Sequence, residues 1–223
     1  MIRKVLVFAA ALAFAGTTAL AAGTSGVTLS SDKRITSIRN PHSVYTPHLA
    51  PKNQNLIFSN IGFKYAKGLY FCCYGNTISG SNSLIGQTYW LAGSFVPESD
   101  ATVKEIDAAV GYVTGANTVV VTLYDDNGGV PGNVLAKGKA SGLTTFGTCC
   151  GLAIAKGKHV ALTAGHTYWV AVTTDGADSD TWAAWNFNST NQIDPVSVAV
   201  SNGGAWSAAG GEVPAPSFAV IGD

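Results

Sequence analysis

Charge is scarce in this sequence: Asp, Glu, Lys and Arg make up 12% of its 223 residues, against roughly a quarter in ordinary soluble domains. No basic stripe exists that could neutralise a row of phosphates, so nucleic acid and anionic membrane surfaces are excluded as expected partners. Sustained 3.6-residue periodicity is missing too, which excludes a helical bundle or an alternating α/β chain. Catalytic signatures are equally thin. There is no Gly-x-Ser-x-Gly elbow and no His-Glu-x-x-His, and the four histidines, His42, His48, His159 and His166, stand in no recognisable constellation. Past the first twenty residues no long apolar run remains, so no transmembrane segment is expected in the mature chain.

What is present begins with an export signal. Arg3 and Lys4 precede an uncharged apolar run, Val5 to Ala15, and Ala19-Leu20-Ala21 supplies the small-x-small pattern of a signal-peptidase site. Residues 1–21 therefore read as a signal peptide cut after Ala21, the run being shorter than the roughly 20 residues a retained anchor needs. Its removal takes away Arg3 and Lys4 and leaves 11 basic against 13 acidic residues. Export, to the periplasm or the extracellular space, makes disulfides available. The four cysteines form two adjacent pairs, Cys72-Cys73 and Cys149-Cys150. Neighbouring thiols on a strand point to opposite faces and do not suit the spacing of a zinc site. Bridges between the pairs are favoured over strained bridges within them.

The mature chain divides in two. Residues 22–52 are polar and irregular, with Asn40-Pro41 and Thr46-Pro47 and only sparse apolar positions such as Ile35 and Ile38; they read as an N-terminal arm or linker. Residues 53–223 alternate short β-branched and aromatic runs with Gly, Asn and Asp clusters every eight to twelve residues, the pattern of an all-β sandwich or barrel. Strands are expected near Leu56–Tyr65, Leu69–Tyr74, Tyr89–Val96, Val103–Val113, Thr118–Tyr124, Val134–Ser141, Gly151–Ala155, His159–Leu162, Thr167–Thr174, Thr181–Phe187, Val196–Ser201 and Ser217–Ile221. Alternation gives their faces. Val119, Val121 and Leu123 share one face; Tyr168, Val170 and Val172 look inward, as do Ala183, Trp185 and Phe187. Tyr124, Trp169 and Trp182 then fall on outward faces.

Between two of these strands lies Tyr124-Asp125-Asp126-Asn127-Gly128-Gly129-Val130-Pro131-Gly132-Asn133-Val134-Leu135. The oxygens of Asp125, Asp126 and Asn127 suit a hard cation, which makes a structural calcium ion the one candidate cofactor; lacking a bidentate Glu at the expected distance, they read first as turn-forming groups. This Asn-Gly…Pro-Gly-x-Val-Leu turn precedes Phe146-Gly147-Thr148-Cys149-Cys150, then Leu162-Thr163-Ala164-Gly165-His166-Thr167-Tyr168-Trp169-Val170, and finally Ser217-Phe218-Ala219-Val220-Ile221-Gly222. In that order they resemble the bacterial exported modules called choice-of-anchor R domains, over roughly Leu56 to Asp223. The resemblance implies a single extracellular jelly-roll-like β-sandwich and implies no catalytic activity. The chain departs from that pattern in showing no C-terminal anchor before Asp223, so release or periplasmic residence is expected.

Two further features bear on function. Five tryptophans, Trp90, Trp169, Trp182, Trp185 and Trp206, invite a carbohydrate-binding reading in which Tyr124, Trp169 and Trp182 form one outer surface for the C–H face of a sugar; burial in the core is their ordinary alternative. Asp107, Asp175, Asp178, Asp180 and Glu212 offer carboxylates to a hydrolase, with nothing in the sequence to bring two together. The expectation is a non-catalytic extracellular binding or structural module, with a glycan or a cell-surface or matrix component as partner. A secreted hydrolase is the alternative from another class.

Overall fold

The computed structural model describes residues 26–37, 55–61, 70–148, 151–188, 197–210 and 213–223. They are all-β. Fifteen strands are present: β1 (Val27–Leu29), β2 (Arg34–Ser37), β3 (Asn55–Ser59), β4 (Tyr70–Ser79), β5 (Trp90–Phe95), β6 (Ala101–Ala108), β7 (Val110–Thr114), β8 (Thr118–Asp126), β9 (Pro131–Ser141), β10 (Ala153–Leu162), β11 (Tyr168–Thr173), β12 (Trp182–Asn188), β13 (Val198–Ser201), β14 (Ser207–Ala208) and β15 (Phe218–Gly222). They pair antiparallel in three sheets, ordered β14-β13-β5-β11-β8-β9, β1-β2-β4-β12-β7 and β10-β6-β15-β3.

The six-stranded sheet forms one layer and the other two sheets together form the layer facing it. The core between them takes Leu91 and Phe95, Val119, Val121 and Leu123, and Tyr168, Val170 and Val172 from the first layer. From the second come Ile78, Ile106, Ala108, Ala183, Trp185, Phe218 and Val220. The period-two alternation of β8 and β11, and of Ala183 and Trp185 in β12, thus places these apolar sets as the sequence predicts; Phe187 follows the register shift after Asn186 and is buried outside this cluster.

The two sheets of the second layer are joined where Val103–Val113, expected as one strand, divides. Ala109 donates its N–H to the Ser217 carbonyl (3.0 Å), Ser217 donates to Asn186 (2.9 Å), and Asn186 donates to Ala109 (2.9 Å). The Asn186 amide adds a second bond to the Ala109 carbonyl at 2.6 Å. Every backbone group of these three residues is paired, so β6 and β7 pass to different sheets without orphaning a backbone polar group, although Asn186 Oδ1 and Ser217 Oγ stay buried without partners. Conversely, Gly151–Ala155 and His159–Leu162 belong to one strand, β10, whose register against β6 shifts between Lys156 and Val160.

The largest departure lies in the arm. Residues 26–37 form the hairpin β1–β2, and β2 pairs with β4 through Arg34↔Asn76, Ile35↔Gly75 and Thr36↔Tyr74. A short strand paired on both sides, as β2 is by β1 and β4, needs little apolar content when backbone bonds supply the rest, and Ile35, fully buried, is its anchor. Sparse apolar content therefore did not mean absence of a core element. The rest of the arm lies outside the described residues.

The two layers close differently at their two margins. At one, β9 and β10 approach so closely that a Cβ at Gly138 would sit 2.9 Å from that of Ala155. At the other, β13 and β14 face β2 and β4 and the layers part.

Candidate functional site

The aromatic surface expected from the sequence is only partly assembled. Tyr124 on β8 and Trp169 on β11 stand directly opposite each other. Trp169 is nevertheless buried, 1% exposed, over an alanine floor of Ala92, Ala171 and Ala199, with Tyr124, Val130 and Trp206 packed against the cluster. Its indole N–H donates to Asp126 Oδ1 at 2.7 Å. Trp182 belongs to a different sheet, also 1% exposed, clustered with Ile35, Phe146 and Ala184. The expected platform of Tyr124, Trp169 and Trp182 is therefore corrected: alternation assigns a residue to a face of its own sheet, and both outer faces carry a second layer of side chains. Tyr124 and Trp206 remain half-buried with ring centroids 6.0 Å apart, but at 73° they meet edge to face and offer no flat surface. Burial raises the Tyr124 pKa, against hydrogen bonding to Trp206 and Thr122.

The acidic turn is organised around its own backbone. Asp125 accepts from the Asn133 backbone N–H and from the Asn133 amide at 2.9 Å. Asp126 accepts from Gly129 N–H at 3.2 Å as well as from Trp169, and Asn127 N–H donates to the Val130 carbonyl at 2.9 Å. Gly132 leaves room for this arrangement, since a Cβ would come 2.4 Å from Asp125 Oδ1 and displace that carboxylate. Among the described residues no group of three or more His, Cys, Asp or Glu is placed to hold a metal ion.

The other expected acids do not converge. Asp175 accepts from Lys139 at 2.7 Å, and Asp180 accepts from the Ala116 N–H at 3.0 Å; Glu212 lies outside the described residues. Asp107 has a partner the sequence analysis missed. Glu105 shares its face of β6, and both are buried, Asp107 to 1% exposure. Burial first, then the charge and hydrogen bond of Glu105, push Asp107 up to about 7, with Lys156 opposing. The pair opens onto no usable space: Glu105 borders a void of about 10 Å³, scarcely one water. Cys72 and Cys73 fall on β4, where Cys73 is buried, but Cys149 and Cys150, and the bridges expected to them, lie outside the described residues.

Polar groups converge on open space at the margin where the layers part. A cavity of about 270 Å³ is lined by Asp32, Arg34, Asn76, Tyr89, Val200, Ala209, Gly210 and Val213. The β1–β2 turn supplies the first two. Lys33 adopts φ 66°, unusual for a non-glycine residue, held by Lys33 N–H to the Ser30 carbonyl (3.1 Å) and Thr77 N–H to the Lys33 carbonyl (2.9 Å). This fold of the chain sets Arg34 Nε 3.0 Å from Asp32. Burial acts to raise Asp32, but the Ser30 hydroxyl, the Arg34 charge and backbone donors outweigh it and hold the carboxyl below its ordinary range. Tyr89 is raised by burial and by the charge of Asp32.

Asn76 forms the cavity's buried polar end. It is 1% exposed, on the inner face of β4 with Ile78, opposite Arg34 on one side and Trp185 on the other. Its Nδ2 has no hydrogen-bond partner. Leaving such a donor unmade costs about 1–3 kcal/mol, and Asn76 borders the cavity although its Nδ2 is itself sealed from it. Nothing in the sequence singled it out: Asp32, Asn76, Tyr89 and Val213 come from four separate stretches, and only Tyr89 falls within an expected strand. The unusual density of charge in Asp32-Lys33-Arg34, within a charge-poor chain, was the one available signal.

No family model, no curated protein and no solved structure matches the chain.

Proposed function

We propose that this chain is an exported, non-catalytic β-sandwich that works as a binding module, and that the cavity between β2–β4 and β13–β14 receives its ligand. One observation carries the reading: the buried Asn76 amide, without a partner, borders the cavity alongside the Asp32–Arg34 ion pair and Tyr89. A native fold pairs nearly all its buried polar groups, and of the six buried side-chain atoms without a partner among the described residues, only Asn76 Nδ2 belongs to a residue that lines this cavity. The export signal and the resemblance to choice-of-anchor R domains support a place outside the cytoplasm. The oxygens of Asp125 and Asp126 already accept bonds within their turn, so binding is proposed to need no calcium.

The test is a ligand screen of the mature protein by thermal shift, over a glycan array series and a small-metabolite panel, with and without calcium. A ligand of the module raises Tm in proportion to its occupancy of the folded state. The rise is expected to vanish in Asp32→Ala and to be the same in EDTA. Stabilising compounds that act equally on wild type and Asp32→Ala would overturn the assignment of the site.

A further inference from the structure

We infer that the ligand of this cavity is a single neutral polyhydroxylated ring, a monosaccharide or the terminal residue of a glycan. The inference rests on the cavity being the binding site and adds the chemical class.

Four features of the lining select that class. Size comes first: about 270 Å³ lies just below the range of roughly 300–1,000 Å³ typical of drug-sized ligands, which suits a single ring. Charge comes second. Asp32 and Arg34 neutralise each other at 3.0 Å, so a carboxylate, phosphate or ammonium group finds no uncompensated partner and would have to break the pair. A hydroxyl does not. It can donate to the Asp32 carboxylate, which stays ionised because its pKa is lowered, while the ion pair persists.

Third is the complementarity of donor and acceptor. Asn76 borders the cavity with an amide whose Nδ2 lacks a partner and has almost no accessible surface until the side chain turns, and Asp32 presents acceptor lone pairs on the same cavity. A diol answers both, accepting from the amide through one oxygen and donating to the carboxylate through another. Fourth is the apolar wall. Val200, Ala209 and Val213 are partly buried hydrophobic residues packed against the core, and Tyr89 adds its ring. A pyranose carries an apolar C–H face that such a wall covers. A nucleobase is best held between two aromatics, and Tyr89 is the one aromatic among the described residues that line the cavity.

The walls stand on strands of both layers, fixed by the Ser79↔Tyr89 bridge that ties β4 to the start of β5. The site is therefore shaped before the ligand arrives, which limits the ordering cost of binding.

Amide NMR of the mature full-length chain tests this, with titrations of glucose, galactose, mannose, fucose and N-acetylglucosamine as neutral probes. Glucuronate, glucosamine, glutamate, lysine and uridine are the charged and heterocyclic controls. At least one neutral sugar is expected to shift the Tyr89, Val200 and Ala209 amides saturably. Asp32→Ala, an exposed position that leaves the sheets intact, should weaken that binding tenfold or more, and Asn76→Leu should abolish it. Binding by charged probes alone at the same amides would overturn the ligand class and leave the binding-module reading standing. Sugars that shift Tyr124 and Trp206 instead would overturn the cavity assignment. No perturbation by any probe would overturn both.

Discussion

The indole of Trp169 donates its N–H to the carboxylate of Asp126 across 2.7 Å, from the outer face of β11 to the end of β8. An exposed turn acid thereby serves a buried aromatic, and the turn is part of the fold's second layer. Asp126→Ala leaves that indole N–H buried without its acceptor and should cost about 1–3 kcal/mol in urea unfolding. Asp126→Asn, which keeps an acceptor oxygen, should recover most of the loss. Equal loss in both variants would mean that charge, not the hydrogen bond, matters there.

Trp182 and Trp185 lie on opposite faces of β12, each at most 1% exposed. Alanine at either position should cost about 3–5 kcal/mol through lost burial and the cavity left behind. Phenylalanine separates them. Trp185 donates to the Ser217 carbonyl at 2.8 Å, whereas the Trp182 indole nitrogen has no partner. Trp185→Phe should therefore be more destabilising than Trp182→Phe by about 1 kcal/mol, measured as paired unfolding free energies.

Asp107 gives the stability a pH slope of definite sign. Its pKa is raised from 3.8 to about 7 in the fold, mainly by burial and then by Glu105. Below pH 4 both folded and unfolded states hold the proton and the group contributes no difference. As pH rises towards 7 the unfolded chain releases that proton while the folded chain keeps it, so stability falls, by a few kcal/mol in all, and then levels off. Asp107→Asn should flatten the slope between pH 4 and 7 and be the more stable protein at pH 8. Parallel pH profiles for variant and wild type would show that this carboxyl does not titrate there.

The sandwich core was legible because inner faces obey a period of two: Val119-Val121-Leu123 and Tyr168-Val170-Val172 announce themselves. The opposite faces were not. A residue such as Trp169 or Trp182 points away from the inner core, and only three-dimensional packing by Trp206, Val130, Phe146 or Ile35 decides that it too is covered. The break at Ala109 was hidden because its bonds run to Asn186 and Ser217, far along the chain. Hairpin β1–β2 escaped notice because its stability comes from backbone pairing with β4 and a single isoleucine. The cavity was out of reach for the same reason, since its polar end pairs a residue of that hairpin, Arg34, with one of β4, Asn76.

The most direct measurement is the unfolding free energy of ligand-free Asn76→Leu. If the Asn76 amide is kept unpaired for a ligand, replacing it by an apolar side chain removes a buried unsatisfied donor, and the neighbouring cavity accommodates the change in shape. Stability equal to wild type, or higher by about 1–3 kcal/mol, is the expected result, together with loss of binding, the trade expected at a site held for function. A loss of stability greater than about 2 kcal/mol would contradict it, because Asn76 would then be a structural residue and the cavity a packing defect.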